Sequence, residues 1–346
     1  MLDIIKNNMF RIVGTSANAS LKERLANISK LKAYMRVGKS IIFPLDLREY
    51  YEEPQRNFEI VENIASKLNN QKEFIENSLF WLYTITPNQE HAVDYFVHGD
   101  YQKARTYYKK DNNFGTIISL ATIAFIRNNK PSGLKLLTSI ITNDNYFSEY
   151  TTFVNNIIGQ NTVHSKQDIF KIILSKVYQN IGKKYLDKFY NDLISKENNK
   201  IYNFALEFLA KNSIDELLVI ITESINDFDN KTLNNHKETL EITVDFINTV
   251  SPLLQKILKD SRDKTIEYQV ICNKISKTIG MFLAEHFFER GKSSQYYYNE
   301  LVNAFTIIKK VEEIACSPIE KSRCQGMARE LLSVVEKSET IEQANT

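Results

Sequence analysis

The sequence predicts an all-α protein, and three observations predict it. Its 346 residues include only 10 glycines and 6 prolines. The long segments between them repeat apolar residues at intervals of three and four, whereas the period-two alternation of strands is almost absent. Helix starts are also written explicitly, as Ser20 with Glu23, Thr86-Pro87 with Gln89, and Ser317-Pro318 with Glu320. In each, a hydroxyl can accept from the third helical N–H while the acid or amide reaches back to the cap's own N–H, and proline at the first helical position suits two of them.

The first of these helices is expected from about Leu21 to Val37. Leu21, Leu25, Ile28, Leu31 and Met35 fall on one side, with Lys22, Arg24, Lys30, Lys32 and Arg36 on the surface against the single acid Glu23. Gly38 then closes it as a C-terminal cap. A second helix should begin near Asn57, with Phe58, Val61, Ile64, Ala65 and Leu68 at helical spacing. The polar turn Asn69-Asn70-Gln71 leads into an aromatic-rich helix, "FIENSLFWLY", which holds the sole tryptophan, Trp81.

Beyond about Asn161 the pattern reads as helical pairs. "KIILSKVYQNIGKKYLDKFYNDLI", broken at Gly182, and "IYNFALEFLAKNSIDELLVIITESI" suit packed hairpins, and four further segments up to Lys337 suit a terminal bundle. The polar end from about Ser338 is expected to fray. A chain of this length predicts two or three domains. The boundaries fall at 1–85, 86–160 and 161–346.

Composition narrows the function classes. The balance of 44 basic and 42 acidic residues, net +2, offers no general field for a polyanion, so nucleic acid is not expected as a partner without a local basic patch. The longest apolar run, "GTIISLATIAFI", falls short of the roughly 20 residues a membrane span requires. The amino terminus, "MLDIIKNNMF", lacks a basic n-region and a small-residue cleavage site, and a cytoplasmic location is the expectation. Cys272, Cys316 and Cys324 are odd in number and scattered, which reads as structural thiols rather than a zinc or disulfide framework.

Two Gly-Lys-Ser triplets, at 38–40 and 291–293, share the last letters of a phosphate-binding loop. That loop needs a glycine five residues before the first of these letters and a strand leading into it, but Ala33 and His286 occupy those places. A nucleotide-dependent regulator or enzyme using one of the triplets is therefore the alternative function. His91, Asp94 and His98 share a helical face, and Glu285, His286 and Glu289 form a partial zincin pattern without its second histidine. The lysine and aromatic mix from Gly182 to Lys188 is diluted by Asp187, Asp192 and Glu197. No Gly-x-Ser-x-Gly elbow is present. No catalytic residue, metal or cofactor is expected.

"MFRIVGTSANASLKERLANISKLKAYMRVGKSIIFPLDL" resembles the opening of a J domain, the helical module by which DnaJ-type co-chaperones engage Hsp70. Phe10, Ile12, Val13 and Gly14 match its first segment, Ala17 to Ser20 its turn, Leu21 to Val37 its basic helix, and "IASKLNNQKEFIENSLFW" its exit. The resemblance covers about residues 5–83. Where that family has His-Pro-Asp, this chain has Phe43-Pro44-Leu45-Asp46, so the resemblance implies the fold more than the activity. The pattern is also similar to uncharacterised bacterial proteins with J-like amino termini followed by helical repeats. "DYFVHGDYQKARTYYKK", with Gly99, Tyr101, Ala104 and Tyr108, resembles the middle of a tetratricopeptide repeat (TPR), and "AFIRNNKPSGLKLL" a degenerate second copy.

Together these readings describe an all-α chain with a J-like module, TPR-like hairpins and a C-terminal helical bundle or solenoid. The expected function is a non-catalytic protein-protein interaction scaffold, or a divergent co-chaperone-like adaptor, in a bacterial multiprotein assembly. The expected partner surface is Lys22, Lys30, Lys32, Arg36, Lys39, Phe43, Pro44 and Asp46, facing Hsp70 or subunits of a larger complex.

Overall fold

The computed structural model describes residues 2–67, 70–159, 162–196, 199–234, 239–261, 264–285 and 298–344. Among them there is no strand, as the sequence predicts. The chain forms two compact units, Met1–Leu209 and Ala210–Thr346. The first contains Asp3–Lys6 (α1), Met9–Val13 (α2), Leu21–Arg36 (α3), Phe58–Lys67 (α4), Gln71–Ser78 (α5), Pro87–Val97 (α6), Tyr101–Tyr108 (α7) and Phe114–Ile126 (α8). It continues with Lys130–Thr142 (α9), Asp144–Ile158 (α10), Lys166–Ile181 (α11) and Lys183–Ile194 (α12). Lys200–Asn234 (α13) begins in this unit and the division falls within it. The second unit adds Thr239–Ser261 (α14), Ile266–Ala284 (α15), Tyr298–Ile314 (α16) and Pro318–Ala344 (α17).

The three helix starts stand where the sequence places them. Ser20, Thr86 and Ser317 accept through their hydroxyl oxygens from the N–H groups of Glu23 (3.2 Å), Gln89 (3.2 Å) and Glu320 (3.1 Å). Gln89 reaches one residue further back than expected. Its Oε1 accepts from Ile85 N–H at 2.7 Å, and its Nε2 donates to Asn113 and Thr116. Helix α3 ends at Gly38, whose φ of 64° lets Gly38 N–H and Lys39 N–H fold back onto the carbonyls of Met35 and Tyr34.

The buried stripe of α3 differs from the expected one. Arg24, Ile28 and Leu31 face the core, whereas Leu21 and Leu25 are exposed. Arg24 is thus not a surface cation. Its guanidinium lies 5.3 Å from the Phe74 ring centroid and 5.9 Å from that of Phe10, and its Nε and Nη1 have no hydrogen-bond acceptor. Burial lowers its pKa, with Glu23 opposing the shift. A buried guanidinium without acceptors is costly to desolvate. Arg24→Met should therefore leave stability unchanged or raise it by about 1 kcal/mol or more in urea titrations, whereas Ile28→Ala should lower it.

Two hairpins, α6 with α7 and α8 with α9, follow from the glycine positions. Gly99 has φ 83° in the first turn, with Ala104 and Tyr108 buried behind it. At Gly133 a Cβ would stand 2.7 Å from Phe125 Cζ, so this glycine permits the close approach of α9 to α8. The near-continuous apolar sequence of α8 is buried on most of its surface, which suits a central helix.

The expected divisions at residues 85 and 160 do not separate compact units, because one core cluster runs from Leu2 to Leu209. Phe153 of α10 meets Phe74 of α5, Tyr83 and Phe114 of α8 at centroid distances of 6.1, 5.5 and 5.2 Å, joining residues on both sides of position 85.

The aromatic-rich helix also ends early. Helix α5 stops at Ser78, and the next five residues, Leu79 to Tyr83, run through the core in irregular conformation with no exposed surface. Side chains replace the missing helical hydrogen bonds. Asn8 Nδ2 donates to the carbonyls of Asn77 and Phe80, Ser119 Oγ accepts from Tyr83 N–H, and Thr122 Oγ1 donates to the Trp81 carbonyl.

The C-terminal unit has its own core, from Leu217 to Val335. Helices α16 and α17 pack together, α15 lies on both, and Phe228 stacks on Phe246 at 4.6 Å. A bundle was expected here. The segment beginning at Lys200 is one long helix rather than a hairpin, and α17 extends through Ala344. No helix among the described residues is long and apolar enough to cross a membrane.

Candidate functional site

Helix α3 and its connection to α4 carry the expected partner surface, and the structure divides it. Lys22, Lys30, Arg36, Lys39 and Pro44 are exposed. Lys32 is tied to Glu62 at 2.7 Å. Phe43 and Asp46 are buried, Asp46 completely, so neither can meet a partner as the sequence reading supposed.

The reason is a pair of arginines. Arg11, buried on α2, donates through Nε and Nη2 to the Asp46 carbonyl (3.0 and 2.8 Å) and through Nη1 to the Lys6 carbonyl (2.8 Å), while its guanidinium lies over the Tyr51 ring at 4.8 Å. Burial pushes its pKa down, and Asp46 pulls it up. Arg56 clasps the Asp46 carboxylate through both Nη atoms, with Nη1 2.9 Å from Oδ2, and donates through Nε to the Ile12 carbonyl at 2.7 Å. Asp46 Oδ2 also accepts from Phe43 N–H at 3.0 Å. The Phe43 ring is fixed between the Arg56 guanidinium, 5.0 Å from its centroid, and Gly14, where a Cβ would lie 2.1 Å from the ring. Asp46 and the two arginines therefore fasten the connection to α2.

Gly38-Lys39-Ser40 follows the C-terminal end of α3, whereas a phosphate-binding loop leads from a strand into a helix N-terminus. The triplet is thus not placed as in a phosphate-binding loop. Gly291-Lys292-Ser293, His286 and Glu289 lie outside the described residues. Of the helical trio, His98 Nδ1 lies 2.8 Å from the Asp94 carbonyl oxygen and His91 packs on the Tyr107 ring. Among the described residues no group of three His, Cys, Asp or Glu side chains is placed to hold a metal. In the Gly182 to Lys188 segment, Lys183 pairs with Asp187 at 2.9 Å.

A different site emerges from the hairpins. An open groove of about 560 Å³ lies along α7, α8 and α9. Arg105 and Lys109 come from α7 and its end, Arg127 from the end of α8, and Lys135 from α9. Leu120, Ala124 and Leu136 also line it, and no carboxylate does among the described residues. The Arg127 guanidinium stacks 3.7 Å from the Tyr101 ring centroid, so this cation is held in place before any ligand arrives. The sequence reading missed the groove. Its one local signal was Tyr101, Arg105 and Lys109 at intervals of four, one face of a helix.

No family model, curated protein or solved structure matches this chain.

Proposed function

We propose that the protein is a non-catalytic protein-binding scaffold, and that the groove along α7, α8 and α9 holds an acidic segment of a partner protein. The observation that carries this reading is the groove's composition: cations from three helical elements around apolar side chains, with no lining carboxylate among the described residues. Such a surface complements a chain that alternates carboxylates with apolar side chains. The carboxylates find charge-assisted hydrogen bonds, and the apolar groups leave water. Proteins of stacked helical hairpins use concave surfaces in this manner.

The test is fluorescence anisotropy with a labelled ten-residue Glu-Leu peptide and a Lys-Leu peptide of equal length. Binding of the acidic peptide alone is expected, weakening with salt and falling at least about tenfold in the Arg105→Glu, Lys135→Glu double variant. Equal binding of both peptides, or no response to the charge reversals, would overturn the reading. Tighter binding of a single-stranded oligonucleotide than of the acidic peptide would replace the protein partner with a nucleic acid.

The exposed Lys22, Lys30, Arg36 and Lys39 around α3 favour a second contact of the co-chaperone-like kind, with Hsp70 or a subunit of a larger assembly. Recovery of Hsp70 from cell extract by the intact protein, lost in the Lys30→Glu, Arg36→Glu variant, is the expected result. Unchanged recovery would remove α3 from the contact.

A further inference from the structure

The groove along α7, α8 and α9 gathers positive charge that the protein itself leaves unanswered. Arg105 and Lys109 stand one helical turn apart, a spacing at which like charges repel. Arg127 and Lys135 join them from α8 and α9, and all of these side chains are exposed. Among the described residues none of their head groups forms an ion pair or a hydrogen bond.

The turn from α8 to α9 holds Arg127 in place. Asn129 N–H donates to the Ala124 carbonyl at 2.7 Å and Asn128 N–H to the Phe125 carbonyl at 2.9 Å, with Asn128 in the left-handed region at φ 59°. Tyr101 covers one face of the Arg127 guanidinium, which leaves the N–H edge for a ligand. Asn129 and Ser132 bring an amide and a hydroxyl to the same lining.

We infer that the segment this groove takes is a phosphorylated one, with phosphate monoesters on serine or threonine. The inference rests on reading the groove as the site of an acidic segment of a partner protein. A carboxylate brings one negative charge and two oxygens, which a single guanidinium fork satisfies. A phosphate monoester brings a charge of about −1.5 to −2 and three acceptor oxygens, enough to bridge two cations from different helices and relieve their repulsion. Unpaired cations converging from three helical elements match the phosphate and oversupply the carboxylate.

The experiment compares two labelled peptides on the full-length protein by fluorescence anisotropy. One is the Glu-Leu peptide; in the other, phosphoserine replaces two glutamates and glutamine replaces two more, so that the formal charge is equal. At about pH 7.5 the phosphopeptide should bind at least about tenfold more tightly, and most of that advantage should vanish at about pH 5.5, because the phosphate takes up a proton with a pKa near 6 whereas glutamate stays ionised. Arg127→Lys keeps the charge but loses the fork and the stacking, so it should remove most of the preference while leaving Glu-Leu binding within about twofold. Equal binding of the two peptides at the higher pH would overturn the inference and leave the acidic-segment reading standing. Binding of neither would sink both. Displacement of the phosphopeptide by inorganic phosphate at an equal concentration would also overturn it, since the groove would then hold a free phosphate rather than a partner segment.

Discussion

Asp46→Ala is expected to lower the stability of the N-terminal unit by about 3–5 kcal/mol, because it leaves a buried arginine without its counter-charge. The Asp46 carboxylate holds both Nη atoms of Arg56 and the Phe43 N–H, and with it gone Arg56, itself nearly buried, would keep only the carbonyls of Arg11, Ile12 and Ile41. Hydrogen bonds to carbonyl oxygens satisfy donors but do not neutralise charge. Asp46→Asn tests this separation: it keeps the shape and most acceptor capacity while removing the charge, and should still cost more than a surface substitution. Urea unfolding followed by Trp81 fluorescence reports on this unit alone, since Trp81 is the sole tryptophan. Arg48→Ala, which breaks an exposed pair with Glu53, is the control and should change stability by less than about 1 kcal/mol. An Asp46→Ala loss as small as the control's would mean that the connection between α3 and α4 is held by packing rather than by its charges.

Trp81→Ala should be comparably severe, at about 3–5 kcal/mol, through the cavity it leaves in the core. Its indole is fully buried and its Nε1 donates to the Thr15 carbonyl at 2.8 Å. A further bond joins the segment's backbone to the same turn, from Ala17 N–H to the Leu82 carbonyl at 2.9 Å. Trp81→Phe separates the two contributions: it retains most of the apolar volume but orphans the Thr15 carbonyl, so it should cost less than the alanine variant and more than zero. Far-UV circular dichroism during urea titration measures both. Equal and small losses in the two variants would mean that the core collapses around the missing ring.

The helical class and the helix starts at Ser20, Thr86 and Ser317 were legible in the sequence, as were the turn at Gly99 and the cap at Gly38. Each depends on interactions within about four residues, such as a hydroxyl on a nearby N–H or a glycine in a left-handed turn, and local chemistry specifies these regardless of what packs on the helix. The outcome at Arg24 shows where that legibility stops. Helical periodicity put it on the surface of α3 with Lys22 and Arg36, yet it lies against Phe10 and Phe74, which other helices bring. Leu79 to Tyr83 shows the same limit, since their composition suits a helix and only the distant side chains of Asn8, Ser119 and Thr122 let that backbone run irregularly through the core.

What the sequence by itself determined, then, is an all-α chain punctuated at definite caps and turns. Tertiary structure alone decided that Asp46 is a buried counter-ion and that Arg105, Arg127 and Lys135 line one groove. The physical reason is range. Capping and periodicity act between neighbours along the chain, whereas burial, charge pairing and groove formation depend on residues that approach only once the helices have packed.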